Sequence, residues 1–98
     1  GHATTATTPV VAGYVYVLQG ISVYHNAGVD KYLAAWTDDG VVNISLLPKA
    51  ETVTETDRTW CGEILLADGD TVEALVWTPG DGKKVFLSVW GYKMKIAE

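Results

Sequence analysis

Between Trp60 and Trp77 two apolar segments, Ile64-Leu65-Leu66 and Val72 to Val76, are pinched around the acidic, glycine-bearing turn Ala67-Asp68-Gly69-Asp70. Turn chemistry of this kind between alternating segments predicts a β-hairpin over Trp60–Trp77. A strand pair is marginal alone in water, so the hairpin demands further strands to close a core. Nothing in it has the makings of a reaction centre.

The rest of the chain supplies those strands. Val15, Val17, Ile21 and Val23 share one parity while Tyr14, Tyr16, Leu18 and Tyr24 share the other, so both faces of this segment are apolar and call for cover. Gly20 predicts a bulge or bend within it. His25-Asn26-Ala27-Gly28 reads as a turn, with His25 facing solvent. Lys31 to Thr37 makes a second strand, closed by the hairpin signal Asp38-Asp39-Gly40, and Val41 to Leu47 a third, which Pro48 ends because proline cannot donate to a ladder. Lys49 to Arg58 is an edge strand or a polar connection, and Thr78 to Gly82 turns the chain into a last strand, Val85 to Tyr92. No window shows a sustained helical period.

The expected architecture is therefore all-β: an antiparallel β-sandwich, jelly-roll-like, of about seven or eight strands. Gly1-His2 reads as a purification-tag remnant, and the Ala-Thr run through Pro9 has little to bury. Residues 1–9 are thus expected as tag remnant and flexible linker or arm, and residues 10–98 as a single sandwich domain. A chain of 98 residues, 48% hydrophobic and 19% charged, has room for one core.

Composition narrows the chemistry. The net charge of -5 and the scatter of the cations argue against a nucleic-acid partner, which would need clustered Lys and Arg. Lys83, Lys84, Lys93 and Lys95 are the one concentration, and they suit strand edges and turns. The apolar runs are too short to insert in a bilayer. Cys61 is the single cysteine, which leaves no internal disulfide; in a strand beside Trp60 and Gly62 it reads as a small buried or half-buried hydrophobe. No nucleophile–base pair assembles, since the histidines are His2 and His25. The acids Asp38-Asp39 and Asp68-Gly69-Asp70 are read as turn formers bonding their own backbone, not as catalysts or calcium ligands. No catalytic residue, metal site or cofactor is expected.

Aromatic residues remain as the functional signal. Sugars stack their C–H faces on exposed rings, while large rings also fill cores and subunit interfaces. Tyr24, Trp36, Trp60, Trp77 and Trp90 are the candidate ligand or interface residues, with Tyr24, Trp36 and Trp77 the better sugar platforms because they lie near turns.

The order of elements resembles small β-sandwich domains of bacteriophage virion proteins, in tail, tail-fibre or baseplate components. The resemblance runs from Tyr14 to Tyr92, carried by Leu18 to Gly28, Lys31 to Thr37, Trp60 to Asp70 and Val85 to Gly91. It is similar, more distantly, to the trimeric jelly rolls of the complement and tumour-necrosis-factor type. The resemblance implies a non-enzymatic structural or adhesive domain located in the virion, serving assembly, decoration or host-surface attachment. It also implies a homo-oligomer, a trimer favoured, or contact with other virion proteins. The alternative is a carbohydrate-binding module whose exposed Trp and Tyr rings take a cell-surface glycan.

Overall fold

A computed structural model describes residues 2–26, 31–52, 58–77 and 83–96. The chain is an all-β sandwich of strands β1 (His2–Ala6), β2 (Tyr14–His25), β3 (Lys31–Asp38), β4 (Asn43–Thr52), β5 (Arg58–Leu66), β6 (Thr71–Trp77) and β7 (Val85–Lys95). A four-stranded sheet has the order β1-β6-β3-β4 and a three-stranded sheet the order β5-β2-β7, with every pairing antiparallel. Leu18, Ile21 and Val23 of β2 meet Leu33, Ala35, Val72, Ala74 and Val76 of the opposite sheet in the core. Burial of each of the Leu, Ile and Val side chains contributes about 1.5–3 kcal/mol, so this seam holds the two sheets together.

The expected hairpin over Trp60–Trp77 does not form. β5 pairs with β2, whereas β6 lies in the other sheet between β1 and β3, so the Ala67–Asp70 turn arches over the core instead of joining ladder neighbours. The hydrogen bonds show why. Asp70 N donates to Ala67 O at 3.0 Å, as in a hairpin, but Ala67 N donates to the Asp70 carboxylate, Oδ2, at 2.8 Å. The Asp70 carbonyl is thereby free to accept from Val10 N at 3.1 Å, and Gly69 N donates to Val10 O at 2.9 Å. Gly69 takes φ +86°, a value open to glycine at little cost. A side chain has replaced the backbone bond that would have started a ladder.

The leader is also more ordered than a flexible linker. His2–Ala6 runs antiparallel along the edge of β6, Ala3 packs on the core, and Thr7 exchanges bonds with Val72: Thr7 N to Val72 O at 2.9 Å, and Val72 N to Thr7 Oγ1 at 3.0 Å. Threonine's β-branched side chain suits such a strand.

Pro48 does not end β4, which continues to Thr52. β4 is an edge strand, and its register against β3 shifts between Leu33 and Ala35, so Pro48 sits at an irregularity where no donor is needed. Arg58 Nη1 reaches across from β5 to donate to Leu33 O at 2.9 Å and Pro48 O at 3.1 Å. The hairpin expected at Asp38-Asp39-Gly40 forms between β3 and β4, with Gly40 at φ +90°. The turns read at Ala27–Gly28 and Thr78–Gly82, and the middle of the Lys49–Arg58 segment, lie outside the described residues.

The irregularity expected at Gly20 is present: register shifts between Leu18 and Gly20 against both β5 and β7. Gln19 is the extra residue against β7, because Gly20 pairs with Trp90 and Leu18 with Gly91. The bulge reverses parity, turning Tyr16 and Leu18 inward with Ile21 and Val23 and leaving Val15, Val17 and Tyr24 on the outer face. A Cβ on Gly91 would collide with the Val17 carbonyl, and one on Gly20 with the Trp90 indole. Both glycines are required by contact.

Candidate functional site

Alternation divides each sheet into a core face and an outer face. On the three-stranded sheet the ladder places Leu65, Val17 and Tyr92 in one outer row, Cys61, Gly20 and Trp90 in the next, and Tyr24 beside Phe86 towards one end. The Tyr24 and Phe86 ring centroids are 5.7 Å apart at 34°, a spacing typical of interacting rings. Trp90 rests on Gly20 and stays 41% exposed; Leu65 is 62%, Tyr92 46% and Met94 43% exposed. Val17, though on this outer face, is shielded by its neighbours. The result is a mainly aromatic and aliphatic face towards solvent, crossed by the Ser22–Ser88 row and carrying Glu63 between Leu65 and Cys61.

The four-stranded sheet has a different outer face. Register sets Leu33 opposite Val76 and Trp36 opposite Glu73, so Tyr32 of β3 lies beside Trp77 of β6 and Trp36 beside Glu73. The Lys49 ammonium, from β4, lies 4.3 Å from the Trp77 ring centroid and 5.4 Å from that of Tyr32, within cation–π range. At the other end Glu73 hydrogen-bonds Asp38, which with burial and the Asp38 charge raises its carboxyl above the ordinary value. Thr71 Oγ1 donates to Glu73 Oε2 at 3.5 Å, and Thr71 and the Trp36 indole both act to lower it again. Here rings alternate with charge.

Sequence reasoning named Trp36 and Trp77, which the fold brings to one face, and Tyr24 and Trp90, which it brings to the other. Trp60 pairs with Ile21 and packs against the core, so it belongs to neither outer face. Tyr32, Lys49 and Glu73 were missed as site residues. Tyr32 and Trp36 share a parity that shows in the sequence, but Lys49 and Glu73 join them only through strand order. Two further expectations change. His25 is fully buried at the end of β2, opposite Val85, because its parity is that of Ile21 and Val23. Cys61 is exposed, since it takes the opposite parity to Trp60 and stands on the outer face next to Gly20.

The turn acids do the backbone work expected of them. Asp38 Oδ1 accepts from Gly40 N at 2.7 Å, and Asp39 Oδ1 accepts from Val41 N at 2.8 Å and Val42 N at 2.7 Å. The Val42 and Val41 amides hold the Asp39 carboxyl below its ordinary value. A cavity of about 280 Å³ opens at one end of the sandwich under the β1–β2 link, lined by Val10, Tyr16, Leu18, Leu66, Val72 and Lys93 among others. Its lining is mainly apolar, with Thr7, Thr8, Asp70 and Lys93 as the polar exceptions.

No protein-family model, curated protein or solved structure matches the chain.

Proposed function

We propose that the chain is a non-enzymatic structural or adhesive domain of a bacteriophage virion that assembles with copies of itself through the outer face of the three-stranded sheet. The observation that carries this reading is the row of exposed Leu65, Phe86, Trp90, Tyr92 and Met94 on that face. Exposed apolar patches of this kind mark protein contacts, and aromatic and Met side chains are enriched in them. The edge of β7 adjoins the patch, since β7 pairs only with β2 among the described residues. A neighbouring copy can therefore meet both side chains and backbone. A trimer is the favoured closed arrangement, with one sheet face of each copy turned to its neighbours. Asp38, Asp39 and Asp70 are engaged in turns and Glu73 is shared with Asp38, which supports a binding role over a catalytic one.

Sedimentation and mass measurement at micromolar concentration test the reading. An oligomer that falls to monomer in Tyr92→Lys or Met94→Glu, with the β-sheet circular dichroism unchanged, supports it. A wild-type chain that stays monomeric, or an oligomer indifferent to both substitutions, overturns it.

A further inference from the structure

We infer that the outer face of the four-stranded sheet is a platform for a neutral oligosaccharide, laid along β3 and β6 between the Tyr32–Trp77 pair and Trp36. This deepens the adhesive side of the proposed function but uses the opposite surface from the assembly face, so either can fail alone.

The face has the form a saccharide needs. Tyr32, Ala34 and Trp36 alternate along β3 on one side of the sheet, so a buried methyl lies between two rings. Four residue steps along the strand separate Tyr32 from Trp36, about 13 Å at the usual strand rise, room for a short oligosaccharide rather than one ring. Trp77 widens the first ring into a pair, and Leu75 lies beside Ala34 between the rings. A pyranose presents an apolar C–H face and a rim of hydroxyls. The Trp36 ring, and the Tyr32 and Trp77 rings once the sugar displaces the Lys49 ammonium that lies over them, meet the first, while that ammonium at one end and the Asp38 and Glu73 carboxyls and Thr71 hydroxyl at the other meet the second.

Charge selects among occupants. A protein surface closing on this face would strip water from Lys49, Asp38 and Glu73, which is costly for any ion left unpaired; sugar hydroxyls replace that water with hydrogen bonds. An anionic glycan is repelled by Asp38 and Glu73 at one end, and at the other the formal charge of Glu51, in register with Tyr32, offsets the attraction of the Lys49 ammonium. A neutral chain meets neither penalty.

The test is calorimetric titration with cello-, xylo- and chito-oligosaccharides of four to six units, about three sugars being needed to span the distance from Tyr32 to Trp36, beside hyaluronan fragments as an acidic comparison. Saturable binding of a neutral series, weakened about tenfold or more by Trp77→Ala and weakened severalfold by Glu73→Gln, is expected. Trp90→Ala, on the opposite sheet, leaves affinity unchanged. Melting curves of the variants separate lost contact from lost fold; if Trp77→Ala unfolds, Tyr32→Ala and Glu73→Gln carry the test. No binding of any neutral series at millimolar concentration, equal or tighter binding of hyaluronan, or neutral binding indifferent to Trp77, Tyr32 and Glu73 overturns the inference.

Discussion

The two outer faces of the sandwich use similar rings in opposite ways. On the three-stranded sheet Trp90, Tyr92 and Phe86 stand among Leu65, Met94 and Val17, so the surface gains most by meeting another apolar surface. On the four-stranded sheet Tyr32, Trp36 and Trp77 stand among Lys49, Asp38 and Glu73, whose hydration must be replaced if the face is covered. The number of aromatics therefore says little about what a surface binds. What separates the rings decides it.

The largest effect is expected from Gly91→Ala, which drives a Cβ into the Val17 carbonyl and forces β7 away from β2. A loss of roughly 4 kcal/mol or more is expected in thermal or denaturant unfolding, with the assembly face lost alongside it. A loss below 1 kcal/mol, about the size of a surface change, would show that the apolar face does not depend on this close approach.

Leu65→Glu places a charge among the rings and so makes the assembly face resemble the other. It is expected to dissociate the oligomer while changing monomer stability by about 0.5 kcal/mol or less, read by mass measurement and by melting at low concentration. An unchanged mass would remove the distinction between the faces.

Asp70→Ala leaves both faces intact and removes the carboxylate that accepts from Ala67 N. A cost of about 1–2 kcal/mol is expected in denaturant unfolding, since the turn holding the two sheets in relation loses its substitute for a ladder bond. Asp70→Asn, which keeps an acceptor, should recover part of it.

The smallest effect concerns pH. Glu73 has a raised carboxyl pKa in the folded chain, so the native state holds its proton more tightly than the unfolded state, whose ordinary value is 4.5. Stability from this group is present below that value and is lost as pH rises through the folded pKa. Glu73→Gln should therefore flatten the fall of melting temperature as pH rises above 4.5. The same slope in wild type and variant would mean that Glu73 does not feel Asp38 in the folded chain.

Strand positions were legible in the sequence because alternation and turn residues are local. The strands that alternation put at Lys31–Thr37 and Val85–Tyr92 form and run on to Asp38 and Lys95, and the β3–β4 turn follows from Asp38-Asp39-Gly40. Sheet membership was not legible, because a turn such as Ala67–Asp70 permits hairpin or arch, and the choice rests on Asp70's side chain and on Val10, far away in sequence. Pro48 misleads for a related reason: its missing donor matters only if the strand is internal, and neighbours decide that. His25 and Cys61 were misassigned because their turn and strand contexts were weighed above parity. Of the saccharide platform, Trp36 and Trp77 were visible singly, and only the register of β3 against β6 sets Tyr32 beside Trp77 and Glu73 beside Trp36.

Gln19 carries a consequence for how such a chain changes over generations. An extra residue there is accommodated only with glycine at 20, under the Trp90 ring, and glycine at 91, against the Val17 carbonyl. The three positions are thus expected to vary together. Among related sequences, loss of the insertion should free both glycines and the tryptophan to vary together, whereas a chain that keeps the insertion can replace none of them singly.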